Sequence, residues 1–182
     1  MAGPCGRADD LPAGVSARLD ALARQAEAGD AAAAAALAEA GSDGRDAAAR
    51  MAALWSEADA GAGLYEVARK LDAAGRLDDA SLVLAALAGD PEGRPAGLLG
   101  LAVLALRAGR LDAAAALVGP CLRAEDRHPR ACSVAGVVEL ERGNVPAAQG
   151  LLAAASRVAR AQPAYRVEMQ IAQRALLLMH LR

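Results

Sequence analysis

The chain has 182 residues, 55% of them hydrophobic yet only 2% aromatic, with no Phe and a formal net charge of -2. That length allows one or at most two compact domains, or one short solenoid. The near-zero net charge, with basic residues alternating with acids along the chain, shows no basic stripe to displace counterions, so no nucleic-acid partner is expected. Much of the apolar content is Ala, which favours helix and close helix–helix contact. Many small helices packed side by side are therefore expected, in place of a core filled by aromatic rings.

Residues 1–14 carry Gly3, Pro4, Gly6, Pro12 and Gly14 and are expected to form a disordered arm. They contain Arg7, Asp9 and Asp10 but no apolar stretch, unlike a secretory signal. The next unit, 15–60, divides into three predicted helices at 15–28, 31–40 and 45–58, separated by "GD" and "GSDG". Gly41 lies 34 residues before Gly75, so this unit suits a degenerate repeat. An N-terminal cap or a dimerisation segment suits it equally. The longest apolar runs, 31–38 and 96–106, fall short of the ~20 residues of a membrane helix. No membrane insertion is expected, and the expected location is the cytoplasm.

From residue 61 the chain is periodic. Gly75, Gly109 and Gly143 are 34 apart, as are Pro95, Pro129 and Pro163. The sets Ala80, Ala114, Ala148; Leu84, Val118, Leu152; and Leu77, Leu111, Val145 keep the same register, as do Leu64, Leu98 and Cys132. This period matches the tetratricopeptide repeat, a helix pair stacked into a superhelix. The fold class expected is all-α, with three repeats at 61–94, 95–128 and 129–162 and a capping helix at 163–182. Each Gly would end a first helix in the left-handed conformation. Asp78 and Asp112 would fall in the first turn of a second helix, where the dipole favours carboxylates, and Pro146 in the same place in the third repeat. Ala80, Ala114 and Ala148 would be small because paired helices approach closely there. In the capping helix, Val167, Ile171, Ala175 and Leu178 recur as a buried stripe would.

Nothing in the sequence points to catalysis. His128 and His180 are the only histidines, and no HExxH, Cys/His cluster, phosphate loop or GxSxG elbow occurs. Cys5, Cys121 and Cys132 show no CxxC spacing and fit reduced, packed thiols. Pro129 is expected to begin a helix between His128 and Cys132, which argues against a thiolate–imidazole pair. No enzyme activity, metal or cofactor is expected.

In tetratricopeptide repeats the first helix of each pair lines the concave surface. The fifth, ninth and twelfth positions are Tyr65, Arg69 and Asp72, then Leu99, Val103 and Leu106, then Ser133, Val137 and Leu140. The wholly apolar middle set, extended by Val137 and Leu140, makes a candidate groove for an extended polypeptide. The same residues also suit packing against the N-terminal helices or a place in the core. A clamp for acidic C-termini of heat-shock chaperones would place Lys, Arg and Asn here. The ninth position instead reads Arg69, Val103, Val137, and no Asn appears.

The stretches "LYEVARKLDAAGRLDDASLVLAALAGDPEGRPAGLLGLAVLALRAGRLDAAAALV" and "RACSVAGVVELERGNVPAAQGLLAAASRVA" resemble the translocator-class chaperones of bacterial type III secretion. The resemblance spans 61–182. It implies a cytoplasmic protein that cradles an extended apolar segment of a hydrophobic translocator before export. It also implies homodimerisation through the N-terminal helices. A repeat scaffold or assembly protein, in pilus or envelope biogenesis for example, is the alternative the sequence leaves open.

Overall fold

The computed structural model describes residues 15, 17–20, 63–123 and 128–180. Residues 15 and 17–20 are helical, and seven helices follow: α1 (Leu64–Ala73), α2 (Leu77–Gly89), α3 (Arg94–Arg107), α4 (Leu111–Arg123), α5 (Pro129–Glu141), α6 (Val145–Arg160) and α7 (Arg166–His180). A 3-10 turn, Pro163–Tyr165, leads into α7. Among the described residues there is no strand. The arm at 1–14 and the predicted helices at 31–40 and 45–58 lie outside the described residues.

The glycines end their helices as the period predicts. Gly75, Gly109 and Gly143 have φ of 76°, 72° and 79°, and among the described residues they alone have positive φ. At each, the Gly N–H bonds to the carbonyl three residues back (Asp72, Leu106, Leu140). The next N–H bonds to the carbonyl five back (Leu71, Ala105, Glu139). This paired bonding is the Schellman motif, which satisfies carbonyls that a helix end would otherwise leave open. A side chain at these positions would cost about 1–2 kcal/mol, because Cβ crowds the following carbonyl. The 34-residue recurrence of Gly is thus a recurrence of one backbone turn.

The helix starts are equally direct consequences of residue type. Pro95, Pro129 and Pro146 occupy the first two positions of α3, α5 and α6, where a missing N–H costs nothing. Pro163 opens the 3-10 turn, and α7 begins three residues later than the period alone indicates. Asp78 and Asp112 lie in the first turns of α2 and α4. Pro120 departs from the pattern, since α4 runs through it to Arg123.

Each helix packs chiefly on its neighbours in sequence, and a second set of contacts gives the array its layers. Helix α1 touches α3, α3 touches α5, and α5 touches α7, whereas α2, α4 and α6 make no comparable contact with one another. The odd helices are therefore the more closely spaced layer. Ala80, Ala114 and Ala148 are fully buried, as their recurrence at a close helix crossing requires. One apolar cluster runs from α1 to α5 and a smaller one joins α5, α6 and α7. Val15 and Leu19, fully buried, belong to the larger cluster. Around them Arg18 pairs with Asp78 at 3.2 Å and donates to Ser81, while Asp20 pairs with Arg110.

The crossing of α2 and α3 depends on Gly97. A Cβ there would meet backbone of α2, at 2.4 Å from the Ala88 nitrogen and 2.6 Å from the Leu84 carbonyl oxygen. Backbone cannot swing aside as a side chain can, so Gly97→Ala should push the two helices apart. Overpacking of this kind costs about 1–3 kcal/mol, against a gain of about 1 kcal/mol in helix propensity. Net destabilisation is expected in urea unfolding. Gly150, inside α6 with nothing near its Cβ direction, provides the contrast. Gly150→Ala should stabilise by about 0.5–1 kcal/mol through propensity alone.

Candidate functional site

The residues expected on the concave side lie on α1, α3 and α5, members of the closer layer. Tyr65, Arg69, Asp72 and Val103 come together around a hollow of about 110 Å³ between α1 and α3. Its apolar lining includes Ala68, Leu84, Gly100 and Leu104. Arg69 is exposed and bonds to Glu66 at 2.6 Å. That bond lowers the Glu66 pKa and raises that of Arg69, but an exposed pair contributes little to stability. Asp72 receives Nη1 of Arg107 on both carboxylate oxygens at 2.5 Å, which ties α1 to α3.

Val103 and Leu106 on α3 and Val137 and Leu140 on α5 are half-buried. The first two pack on the larger cluster, the last two on the smaller one beside Leu176 and Met179 of α7. Because α3 and α5 touch, these four form the open apolar part of the layer. Leu99 does not join them at the surface: it is 4% exposed and belongs to the core. A chain of polar contacts bridges its neighbourhood. The Arg130 guanidinium of α5 stands 5.3 Å from the centre of the Tyr65 ring of α1, although α3 lies between those helices. Ser133, the third residue of its register set, is also buried, and its hydroxyl donates to the Glu168 carbonyl at 3.4 Å.

Arg130 also donates Nε to Glu168 at 2.8 Å, so Tyr65, Arg130 and Glu168 link α1, α5 and α7. Desolvation, the largest influence on Arg130, acts to lower its pKa. The bond to Glu168 and the neighbouring charges outweigh it and hold the pKa above the ordinary value. Beside this chain, Tyr165 Oη and His128 Nε2 lie 3.1 Å apart with their rings edge to face. His128 caps α5, its Nδ1 accepting from the Arg130 N–H, and Pro129 is the first residue of that helix. These contacts give His128 a structural place.

The terminal helix corrects one expectation. Val167 is 62% exposed and Ile171 43% exposed, and Leu178 is exposed too; of the four residues expected in a buried stripe only Ala175 is buried. The buried face of α7 is set by Glu168, Ala172 and Ala175, with Leu176 and Met179 partly covered. The bonds from Arg130 and Ser133 to Glu168 explain why the helix turns that face inward. Both exposed residues keep the repeat register: Val167 lies 34 after Ser133, and Ile171 34 after Val137. The spacing that picked out the other inward positions could have picked out these two.

Cys121 and Cys132 are buried free thiols. Among the described residues no group of three or more His, Cys, Asp or Glu stands together, and no helix is long and apolar enough to cross a membrane. No protein-family model, curated protein or solved structure matches the chain.

Proposed function

We propose that the chain is a tetratricopeptide-repeat protein that holds an extended apolar polypeptide segment against its odd-helix layer. The observation that carries this reading is the run of incompletely covered apolar side chains on adjacent helices of that layer: Val103 and Leu106, Val137 and Leu140, then Val167 and Ile171. The repeat assignment rests on the three left-handed glycines 34 residues apart and on the buried alanines of the same period. With the like-spaced helices closer to one another on one side only, such an array curves toward the odd layer. Concave surfaces of this type are where repeat arrays bind polypeptides.

The resemblance of 61–182 to type III secretion translocator chaperones narrows the proposal to a cytoplasmic chaperone for a hydrophobic export substrate. Co-expression with such a substrate tests it. A stable complex is expected, lost on Leu106→Asp at unchanged helix content. A complex that survives the substitution places the partner elsewhere.

Homodimerisation through 15–60 is the second part of this reading. Sedimentation of the full chain at micromolar concentration should show dimers, and a monomer would remove the dimer from the proposal. Truncation is a poor test, because Val15 and Leu19 lie in the core of their own chain.

A further inference from the structure

Two asymmetries of the molecule meet on its last helix, and the first is apolar. Of the five large apolar side chains that stand exposed among the described residues, four belong to α7: Val167, Ile171, Leu177 and Leu178. The last two are 61% and 59% exposed. With 3.6 residues per turn, all four fall within about 120° of arc, and the strip from Val167 to Leu178 is about 16 Å long. Helix α7 packs on α5 and α6 through a different face, the one bearing Glu168, Ala172 and Ala175.

The second asymmetry is electrical. Arg69, Arg76, Arg107, Arg130 and Arg142 each pair with a carboxylate. Arg157 and Arg160, in the last turn of α6, and Arg166 and Arg174, on α7, are exposed and have no carboxylate partner among the described residues. The one acid between residues 157 and 180, Glu168, is buried and held by Arg130. A net charge of -2 therefore conceals a cationic end.

Unpaired cations beside exposed aliphatic side chains complement a partner that is both anionic and apolar. These cations do not converge on one point: they are spread over the last turn of α6 and two turns of α7. A protein partner would need a carboxylate placed for each guanidinium. The headgroups of an anionic bilayer offer phosphates at every position along the strip, and Arg can lay its stem on apolar surface while its head reaches them. A basic amphipathic helix lying flat in the headgroup region makes such contacts.

We infer that α7 and the end of α6 form a docking surface for an anionic lipid bilayer, with the four aliphatic side chains at the headgroup boundary and the four arginines on phosphates. Helix α7 lies along the bilayer, since no described helix is long and apolar enough to cross it. The surface adjoins the proposed polypeptide run at Val167 and Ile171. Leu177, Leu178 and Arg174 lie outside that run and carry the tests, so either assignment can fail alone.

Flotation of the full chain with vesicles of phosphatidylglycerol and phosphatidylcholine in equal parts should recover it with the lipid. Vesicles of phosphatidylcholine alone should bind about tenfold more weakly or worse, and salt should weaken the anionic case. Arg174→Glu should weaken binding to the anionic vesicles about tenfold. Arg123→Glu, the same charge change at an exposed position on α4, should leave it nearly unchanged. Leu177→Asp should also weaken it about tenfold, at unchanged helix content. Leu106→Asp should leave vesicle binding intact, which separates this surface from the groove. Equal binding to both kinds of vesicle, equal losses from the two arginine variants, or no binding would each overturn the assignment. No vesicle binding, with capture of polyglutamate that Arg174→Glu abolishes, would give the face to an acidic polypeptide instead. Should Leu177→Asp misfold, the contrast of the two arginine variants decides.

Discussion

Leu106→Asp should lower affinity for an extended apolar segment by roughly two orders of magnitude or more while leaving helix content unchanged. Leu106 is half-buried on α3, packed on the edge of the main cluster beside the open surface. An apolar anchor buried fully by a partner contributes about 1.5–3 kcal/mol. The substitution loses that contribution and sets a carboxylate against apolar partner atoms, at a further cost of about 1–3 kcal/mol. At about 1.4 kcal/mol per tenfold, the sum exceeds a hundredfold. In the free protein the carboxylate can stay in water, so thermal unfolding should shift only modestly. Titration of the complex, alongside circular dichroism of the free variant, checks both halves. A variant that misfolds would make Leu106 a core residue, and one that folds and binds normally would move the partner to another surface.

What the sequence made legible was what one residue type decides alone. A glycine required at positive φ must recur wherever the same turn recurs, so Gly75, Gly109 and Gly143 announce the helix ends. Pro129 and Pro146 announce helix starts for the converse reason, that they lack an N–H. The ninth- and twelfth-position residues of α3 and α5 fall on one layer because the register follows from those fixed ends. Exposure at a given register position was not legible. Leu99 and Val103 occupy successive turns of the same face, yet Leu99 is buried where Arg130 reaches toward Tyr65, a contact between residues 65 apart in the chain. The rotation of α7 was hidden for a similar reason. Apolar periodicity favoured the face bearing Val167 and Ile171, but Glu168, a charged residue, is the one drawn inward by bonds from α5. Pairwise polar contacts between distant helices leave no periodic trace, and here they decide which of two neighbouring faces is covered.

Leu101→Asp, five residues before Leu106 on α3 and on a different face of that helix, should abolish the fold instead of the binding. Leu101 is fully buried in the cluster that joins α1 through α5. Losing its burial removes about 1.5–3 kcal/mol. The carboxylate must then either ionise without a partner or stay protonated with its hydrogen bonds unmade, which adds several kcal/mol. That total is comparable with the 5–15 kcal/mol that typically holds a domain together. Leu101→Ala, which leaves a cavity but no buried charge, should cost about 2–5 kcal/mol and retain a cooperative transition. Position in the array sharpens the expectation. Stability in stacked helix pairs is carried by contacts between neighbours, and α3 is the helix that meets α1, α2, α4 and α5. A charge buried there uncouples the first pair from the third, so helical signal should fall across the described array and amide protection should vanish from α1 to α6 together. If α5 and α6 keep their protection in Leu101→Asp, the smaller cluster with α7 folds without the first two pairs, and the array is less cooperative than its continuous contacts indicate.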